Sequence, residues 1–282
     1  MLRRLLTGTA VTTSLALALT GCFGETKERA GEAREAIKQT AAQVLGKAAQ
    51  KSGQINSFTM GMSIAGTAEG QTTQMNARIQ MRLRPDVAMG MNFDSMNVGG
   101  QTIPAYEMRL IGDAMYMKMP GLEEAAGGKP WGRVALSELS QEATGGVNMQ
   151  QAMEQARRQS PAEQTKMFTA SKNAREVGME TVEGVRTRHY TGTVSVEEAL
   201  AQLDAESQQA MRQSYQQLGV SEIPFDVWVG DDDLPRKISV KLAAGANEMT
   251  TTATYGNYNA PVDVVAPPTA ETGDLNLPGL RN

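Results

Sequence analysis

The sequence contains few of the residues from which compact chemical sites are built. Among its 282 residues there is one cysteine and one histidine. A single cysteine cannot form an internal disulfide framework, and one cysteine with one histidine cannot supply the ligands of a usual zinc site. Aromatic residues make up only 5% of the chain, although 40% of it is hydrophobic. We therefore expect no metal, no cofactor and no catalytic residues.

The chain also lacks an excess of basic residues. It carries 27 Lys and Arg against 31 Asp and Glu, which gives a formal net charge of −4 at pH 7. Binding to nucleic acid depends on clustered Lys and Arg that neutralise phosphates. This balance argues against nucleic acid as a partner.

The first residues have the pattern of a targeting segment. Arg3 and Arg4 precede an apolar stretch that runs from Leu5 to about Leu19. This stretch is short for a membrane-spanning helix, which needs about 20 predominantly apolar residues. It ends in Leu-Thr-Gly-Cys at residues 19–22, which resembles the lipobox of bacterial lipoproteins. The resemblance implies cleavage before Cys22 and a diacylglyceryl group on its thiol; an ordinary secretory signal is the alternative.

These observations predict four segments. We expect a signal peptide over 1–21, a lipidated flexible tether over 22–35, a single α+β domain over 36–260, and a proline-containing tail over 261–282. Two acyl chains on Cys22 would suffice for stable anchoring. We therefore expect an extracytoplasmic monomer that contacts the outer face of the cell membrane through this anchor.

Alternating apolar and polar residues predict a meander of strands between about residues 57 and 119. The connections are too short for parallel crossovers, so the meander is antiparallel. A hairpin over 173–195 and three strands over 225–258 follow the same pattern, with Asp231-Asp232-Asp233 as a turn. Helices are expected over 30–51, within 136–171, and over 196–218, where Ser195 and Glu198 form a capping box. The fold class is α+β, with helices over the apolar face of a curved antiparallel sheet.

Two segments carry a resemblance to a known family. They are Gly-Val-Arg-Thr-Arg-His-Tyr at 184–190 and Phe-Asp-Val-Trp-Val-Gly-Asp-Asp-Asp-Leu-Pro-Arg-Lys-Ile at 225–238. Together with the lipobox and the order of elements, they resemble the LppX/LprG-type lipoproteins of actinobacteria over roughly residues 30–260. The resemblance implies a LolA/LolB-like half-barrel sheet that is closed by helices around an apolar cavity. It also implies a non-enzymatic protein that binds lipid or glycolipid acyl chains, with an envelope transporter or acceptor protein as a further partner.

Methionine is abundant where aromatic residues are scarce. Eleven of the 18 Met lie between residues 60 and 119, mostly at alternating strand positions. Flexible thioethers suit an apolar cavity that accepts ligands of varied shape, but they also fill gaps in ordinary cores. A third interpretation is Cu(I) binding by thioethers, although no His or Cys joins the Met pairs. The cavity interpretation assigns ligand contacts to Phe58, Met60, Met62, Ile64, Met75, Ile79, Met81, Met89, Met91, Phe93, Met108, Leu110, Met115 and Met117.

Three functional hypotheses follow from the sequence. The main one is a membrane-anchored lipoprotein that binds lipid or glycolipid as a carrier or chaperone in the cell envelope. The alternative is a non-enzymatic protein-interaction or sensory module of the same fold, with a filled core. An enzyme would require His189 beside a serine or carboxylate in a cleft, and no Gly-x-Ser-x-Gly elbow marks a nucleophile.

Overall fold

The computed structural model describes residues 41–68, 71–98, 101–136, 160–245 and 247–275. Residues 37–282 belong to one compact unit. The predicted signal peptide, the tether and Cys22 lie outside the described residues. So do most of the helix predicted within 136–171 and the beginning of the helix predicted over 30–51.

The described residues contain fourteen strands, four α-helices and a short 3₁₀ helix (Thr269–Glu271). The strands are β1 (Ser57–Ala68), β2 (Gln71–Arg82), β3 (Ala88–Phe93), β4 (Met96–Val98), β5 (Gln101–Ile103), β6 (Tyr106–Ile111), β7 (Ala114–Lys118), β8 (Trp131–Ala135), β9 (Arg175–Val182), β10 (Val185–Ser195), β11 (Glu222–Gly230), β12 (Pro235–Ala244), β13 (Asn247–Gly256) and β14 (Thr272–Asp274). The helices are α1 (41–52 in the described part), α2 (Pro161–Phe168), α3 (Val196–Leu200) and α4 (Ala205–Leu218).

All fourteen strands belong to one sheet. Its order is β14-β8-β7-β6-β3-β2-β1-β13-β12-β11-β10-β9, with the β4–β5 hairpin attached to β2. Every pairing among the described residues is antiparallel except that of β14 with β8. The predicted antiparallel sheet is therefore confirmed. Strand β1 lies at its centre, between β2 and β13.

The helices cover the apolar face of this sheet. Leu45 on α1 is fully buried and belongs to the same core cluster as Phe58 on β1. Phe168 of α2 stacks on Phe225 of β11 with ring centroids 4.4 Å apart. Burial of such side chains stabilises the fold by about 1.5–3 kcal/mol each. The predicted α+β arrangement, with helices on the apolar side, is thus confirmed.

The helix predicted over 196–218 is divided in the structure. The predicted capping box is present, because Ser195 Oγ accepts a hydrogen bond from the Glu198 backbone N–H and donates one to the Glu198 carboxylate. However, α3 ends at Leu200, where the Leu203 N–H turns back to the Leu200 carbonyl. The Asp204 carbonyl then accepts the first bond of α4, from Gln208. Because of this break, Leu200 and Leu203 both pack in the core. The helical periodicity of the sequence appeared continuous and did not predict the break.

The segment predicted as a tail packs against the sheet as far as residue 275. Val264 is buried against Gly90, and the Arg109 guanidinium donates a hydrogen bond to the Val265 carbonyl. Strand β14 then pairs with β8, and the side chain of Leu275 packs over Gly132. The low periodicity of this segment concealed a three-residue strand, because so short a strand has no measurable alternation.

Replacing Gly273 by alanine is expected to detach β14 from β8. A Cβ atom at this position would lie 2.0 Å from the Ala126 backbone oxygen, which cannot rotate away. We expect loss of hydrogen-exchange protection at the Leu275 amide, which donates to the Arg133 carbonyl at 2.7 Å. Gly256→Ala is the matched control, since its Cβ would meet only the Thr59 hydroxyl, at 3.7 Å. Unchanged protection in Gly273→Ala would contradict the close approach.

Candidate functional site

The strand register places the fourteen predicted contact residues on one face of the sheet. Phe58 lies opposite Met81, Met81 opposite Met89, Met89 opposite Leu110, and Leu110 opposite Met115. Residues directly opposite one another in an antiparallel pair project to the same side. A second row contains Met60, Ile79, Met91, Met108 and Met117, and two shorter rows contain Met62 with Phe93 and Ile64 with Met75. We call this surface the methionine face.

Burial divides the methionine face into two parts. Phe58, Met60, Ile79, Met81 and Leu110 are buried, and all of these except Leu110 belong to the main core cluster. The others retain partial exposure; these are Met62, Ile64, Met75, Met89, Met91, Phe93, Met108, Met115 and Met117. Part of the predicted contact set is therefore packed core, and part remains accessible.

An apolar cleft of about 300 Å³ opens beside the methionine face, at the C-terminal end of β1. Ile64 of β1, Leu242 of β12 and Val220, which follows α4, line it together with Leu218 and Met249. Its volume is at the lower end of the range for small-molecule pockets. Leu218 is 50% exposed and Met249 is 36% exposed, so apolar side chains also form its rim.

The end of α4 forms one wall of the cleft. Gly219 has a φ of +68°, and the Val220 N–H bonds back to the Tyr215 carbonyl, as in a Schellman ending. This turn leads the chain from the exposed Leu218 to the buried Val220. The helix thus ends at residue 218, where the sequence predicts its end, and this turn positions two apolar side chains at the cleft.

The sequence prediction identified only Ile64 among the residues that line this cleft. Leu242 and Met249 lie opposite each other on β12 and β13, and Leu218 ends α4. Two signals were available in the sequence. One is the alternation of apolar and polar residues on β12, and the other is the apolar Leu218 directly before Gly219. Their meeting depends on how the last hairpin lies against α4, which periodicity alone does not predict.

His189 lies on the opposite, polar face, at the centre of a network across four strands. Its Nδ1 is 2.8 Å from Glu180 of β9, and its Nε2 is 2.8 Å from Asp226 of β11. Its ring stacks on Trp228 at 4.2 Å, and Lys237 Nζ of β12 lies 4.2 Å from the centroid of Trp228. Because both ring nitrogens face carboxylates, neither is directed at a serine hydroxyl. This geometry ties strands together and does not form a nucleophilic triad.

Glu180→Gln is expected to lower the free energy of unfolding at pH 7 and to make this free energy less dependent on pH in the acid range. Hydrogen bonds from Trp228 Nε1 and from His189 hold the pKa of Glu180 below its ordinary value. A lowered folded-state pKa contributes stability above the unfolded pKa, and this contribution is lost as the pH falls through the folded pKa. Urea unfolding at pH 7 and between pH 3 and 5 should therefore show the two proteins converging in acid. The exposed Glu222→Gln serves as control, and an acid-independent difference would refute this account.

The three consecutive aspartates form the predicted turn between β11 and β12. Asp233 has a φ of +60° and pairs with Lys47 of α1 at 2.8 Å. Asp232 pairs with Arg236 at 2.5 Å and accepts a hydrogen bond from the Leu234 N–H. No cluster of three or more metal-ligating His, Cys, Asp or Glu occurs within the described ranges. The aspartates are thus engaged in the turn and in the attachment of α1.

Among solved structures, LprF from Mycobacterium bovis is similar, with a TM-score of 0.51 and 13% identity over 81% of this chain and 97% of LprF. The chain has the fold of LprF. The lipoprotein LppX from Mycobacterium tuberculosis aligns with 80% of the chain and 99% of its own length, at 16% identity and a TM-score of 0.48. The resemblance inferred from the sequence is confirmed at the level of the fold.

Relatives in sequence are more limited in extent. A candidate lipoprotein of Streptomyces coelicolor is 29% identical over 187 residues, which are 66% of this chain and 56% of that protein. The chain spans about half the length of the curated relatives it matches. No family model matches the chain. Within the described part of the chain, no helix is long and apolar enough to cross a membrane.

Proposed function

We propose that this protein is an exported lipoprotein that binds an acyl chain of a lipid or glycolipid. The observation that carries the proposal is the apolar cleft beside the methionine face, with Leu218 and Met249 exposed at its rim. Exposed apolar side chains that surround a concave apolar site are typical of ligand-binding clefts. The modest volume, about 300 Å³, favours part of one acyl chain over several whole chains.

The electrostatics of the cleft support an apolar ligand. Among the residues that line the cleft, Glu248 is the one that is ionisable. Its carboxylate forms an ion pair with Lys241, with Oε1 2.8 Å from Nζ. The remaining contacts come from aliphatic, methionine, threonine and amide groups. Transfer of an acyl chain from water into the cleft would stabilise the complex by about 0.8 kcal/mol for each buried CH₂. The partly exposed methionines could then extend the contact by changing rotamers.

The anchoring belongs to the same proposal. Cys22 would carry the acyl chains that hold the protein at the outer face of the cell membrane, as the lipobox predicts. The fold shared with LprF and the similarity to a candidate lipoprotein of Streptomyces coelicolor support this assignment. We expect no catalytic activity, and a protein partner that delivers or accepts the lipid is part of the carrier hypothesis.

Native mass spectrometry of residues 22–282 with Cys22→Ser tests the proposal, because this variant carries no acyl anchor of its own. It contains the whole compact unit 37–282. We expect a population whose added mass is removed by collisional activation and is identified as lipid by extraction. Protein that is free of lipid in every preparation, and that takes up none from vesicles, would overturn the proposal.

The filled-core interaction module is a second candidate, and one observation favours it. Phe58, Met60 and Met81 are packed in the core, so a large part of the methionine face is closed. Such a module would show no lipid in the experiment above. It would also lose similar stability on replacement of Phe58 or of Phe93 by alanine, because its methionine face would be packed evenly.

A further inference from the structure

The end of the molecule that carries the apolar cleft contains almost no charged residues. Thr67 lies opposite both Thr72 and Glu248, and the end of α4 lines the same cleft. The β4–β5 hairpin joins this end through Asn97, which lies opposite Gln74. We call this surface the neutral end; it comprises residues 64–68, 71–75, 96–98, 101–103, 213–220, 242–245 and 247–251. Within these described ranges, Glu248 is the single Asp, Glu, Lys or Arg.

The opposite ends of the same strands are rich in charge. Arg84 and Asp86 lie in the connection from β2 to β3, and Asp231-Asp232-Asp233 form the turn before β12. Charged residues make up 21% of the whole chain. Glu69, which lies between β1 and β2 in the sequence, is outside the described residues. The scarcity of charge is therefore a property of this one surface and not of the chain.

The neutral end also exposes apolar side chains. Leu218 and Met249 are 50% and 36% exposed at the rim of the cleft. Their exposed neighbours include the amides of Gln216, Gln217 and Asn247. Amide groups lose water at a much lower cost than charged groups do. Apolar side chains within an uncharged surface are typical of a site that meets a membrane or another protein.

A membrane fits this surface better than a protein partner does. A stable protein interface buries about 800 Å² on each partner around an apolar core, and two exposed apolar side chains provide too little for this. A weak contact suffices at a membrane, because an anchor on Cys22 would keep the domain close to it. The tether predicted over 22–35 extends to about 50 Å at most. Such an anchor holds the domain near the bilayer but does not select which end faces it.

We propose that the neutral end docks on the head-group layer of a zwitterionic bilayer and presents the apolar cleft directly to acyl chains. This inference rests on the proposed function, because the cleft that faces the bilayer is the proposed acyl site. Basic clusters draw proteins to anionic membranes, and the described part of the neutral end contains no Lys or Arg. We therefore expect phosphatidylcholine vesicles to be bound at least as well as phosphatidylglycerol vesicles.

The test uses residues 22–282 attached to vesicles through Cys22, the single cysteine of the chain. A maleimide lipid in phosphatidylcholine vesicles takes the place of the proposed anchor, and nitroxide groups on some of the lipid head groups quench nearby tryptophan. Thr72→Trp places a probe at an exposed position of the neutral end, outside the cleft lining. We expect its emission to shift to shorter wavelength and to lose intensity, because indole rings enter the interface readily.

Val265→Trp is the matched control for this probe. Val265 is 55% exposed and lies outside the neutral end, where its carbonyl accepts a hydrogen bond from Arg109. Its emission should be the same with and without the quencher. Trp131 and Trp228 are only 4% and 6% exposed, and the chain without an added tryptophan supplies their signal for subtraction.

Gln74→Glu with Gln216→Glu, in the chain that carries Thr72→Trp, tests whether the scarcity of charge matters. Both glutamines are exposed, and neither lines the cleft. Two carboxylates at this end would have to lose water on docking, so quenching should fall about tenfold or more. The control is Gln54→Glu with Gln202→Glu, the same change at exposed positions of the opposite end, where Gln202 and Gly53 line one polar cleft.

Three results would overturn the proposal. They are equal quenching of Thr72→Trp and Val265→Trp, undiminished quenching after Gln74→Glu with Gln216→Glu, and sedimentation of the Cys22→Ser chain with phosphatidylglycerol vesicles at least tenfold better than with phosphatidylcholine vesicles. The acyl site is tested separately, by native mass spectrometry with lysophosphatidylcholine below its micelle concentration. Lysolipid uptake without quenching would remove the docking surface and leave the acyl site. Quenching without lysolipid uptake would support the docking surface and count against the acyl site.

Discussion

Replacing Phe58 by alanine is expected to lower the free energy of unfolding by about 3–5 kcal/mol, the usual cost of emptying a phenylalanine site in a packed core. Phe58 is fully buried, and its ring lies 6.1 Å from that of Tyr255. It faces Met81, which is also buried, so the surroundings offer little freedom to collapse into the space. Urea denaturation followed by circular dichroism measures this loss. A loss of this size is a large fraction of the stability of a typical domain.

The matched control is Phe93→Ala on the same face. Phe93 remains partly exposed and stacks on Tyr106 with ring centroids 4.4 Å apart. We expect a smaller loss, about 1–2 kcal/mol, because less apolar surface leaves water at this position on folding. Comparable losses for the two variants would mean that the face is packed evenly, which would favour the filled-core module over the lipid-binding protein.

A double replacement at the cleft rim, Leu218→Glu with Met249→Glu, is expected to reduce lipid retention at least about tenfold. Two carboxylates at the mouth would have to lose water when an acyl chain enters, and burial of a charge without a partner is costly. Both residues are substantially exposed in the free protein, so the fold should tolerate the change. The readout is the lipid-bound fraction in native mass spectra after incubation with vesicles.

Val185→Glu with Val265→Glu is the control for this experiment. These valines are 38% and 55% exposed, close to the values for Met249 and Leu218, but neither lines the cleft. The control adds the same charge to similarly exposed apolar positions. If it loses as much lipid as the rim variant, the effect comes from net charge or membrane repulsion, and the cleft does not carry the binding.

Much of the fold was predictable because its signals are local. The alternation in β1, β2 and β3 specifies which side chains share a face, and the positive φ angles of Glu183 and Gly184 mark the predicted hairpin turn. Ser195 and Glu198 likewise mark where α3 begins. Each of these signals depends on residues within a few positions of one another, so it can be recognised from the sequence alone.

The apolar cleft was less predictable, because its walls come together only in the folded chain. The sequence predicted ligand contacts on the methionine face, and two residues of that face, Met60 and Met81, are buried in the core. Leu218, Leu242 and Met249 line the apolar cleft, yet no spacing along the chain links the first to the other two. Strand β14 escaped prediction for the same reason, since three residues gain their structure from β8 rather than from their own pattern.

The position of β1 has a consequence for how the chain reaches its folded state. Its first partner, β2, follows it immediately, whereas Thr59 lies opposite Gly256 of β13. During synthesis in the N-to-C direction, one edge of this central strand therefore stays unpaired until β13 has been made. Pairings between such distant residues form slowly, and open apolar strands invite association with other chains. A chain interrupted before β13 would thus be left with an unpaired strand edge at the centre of its sheet.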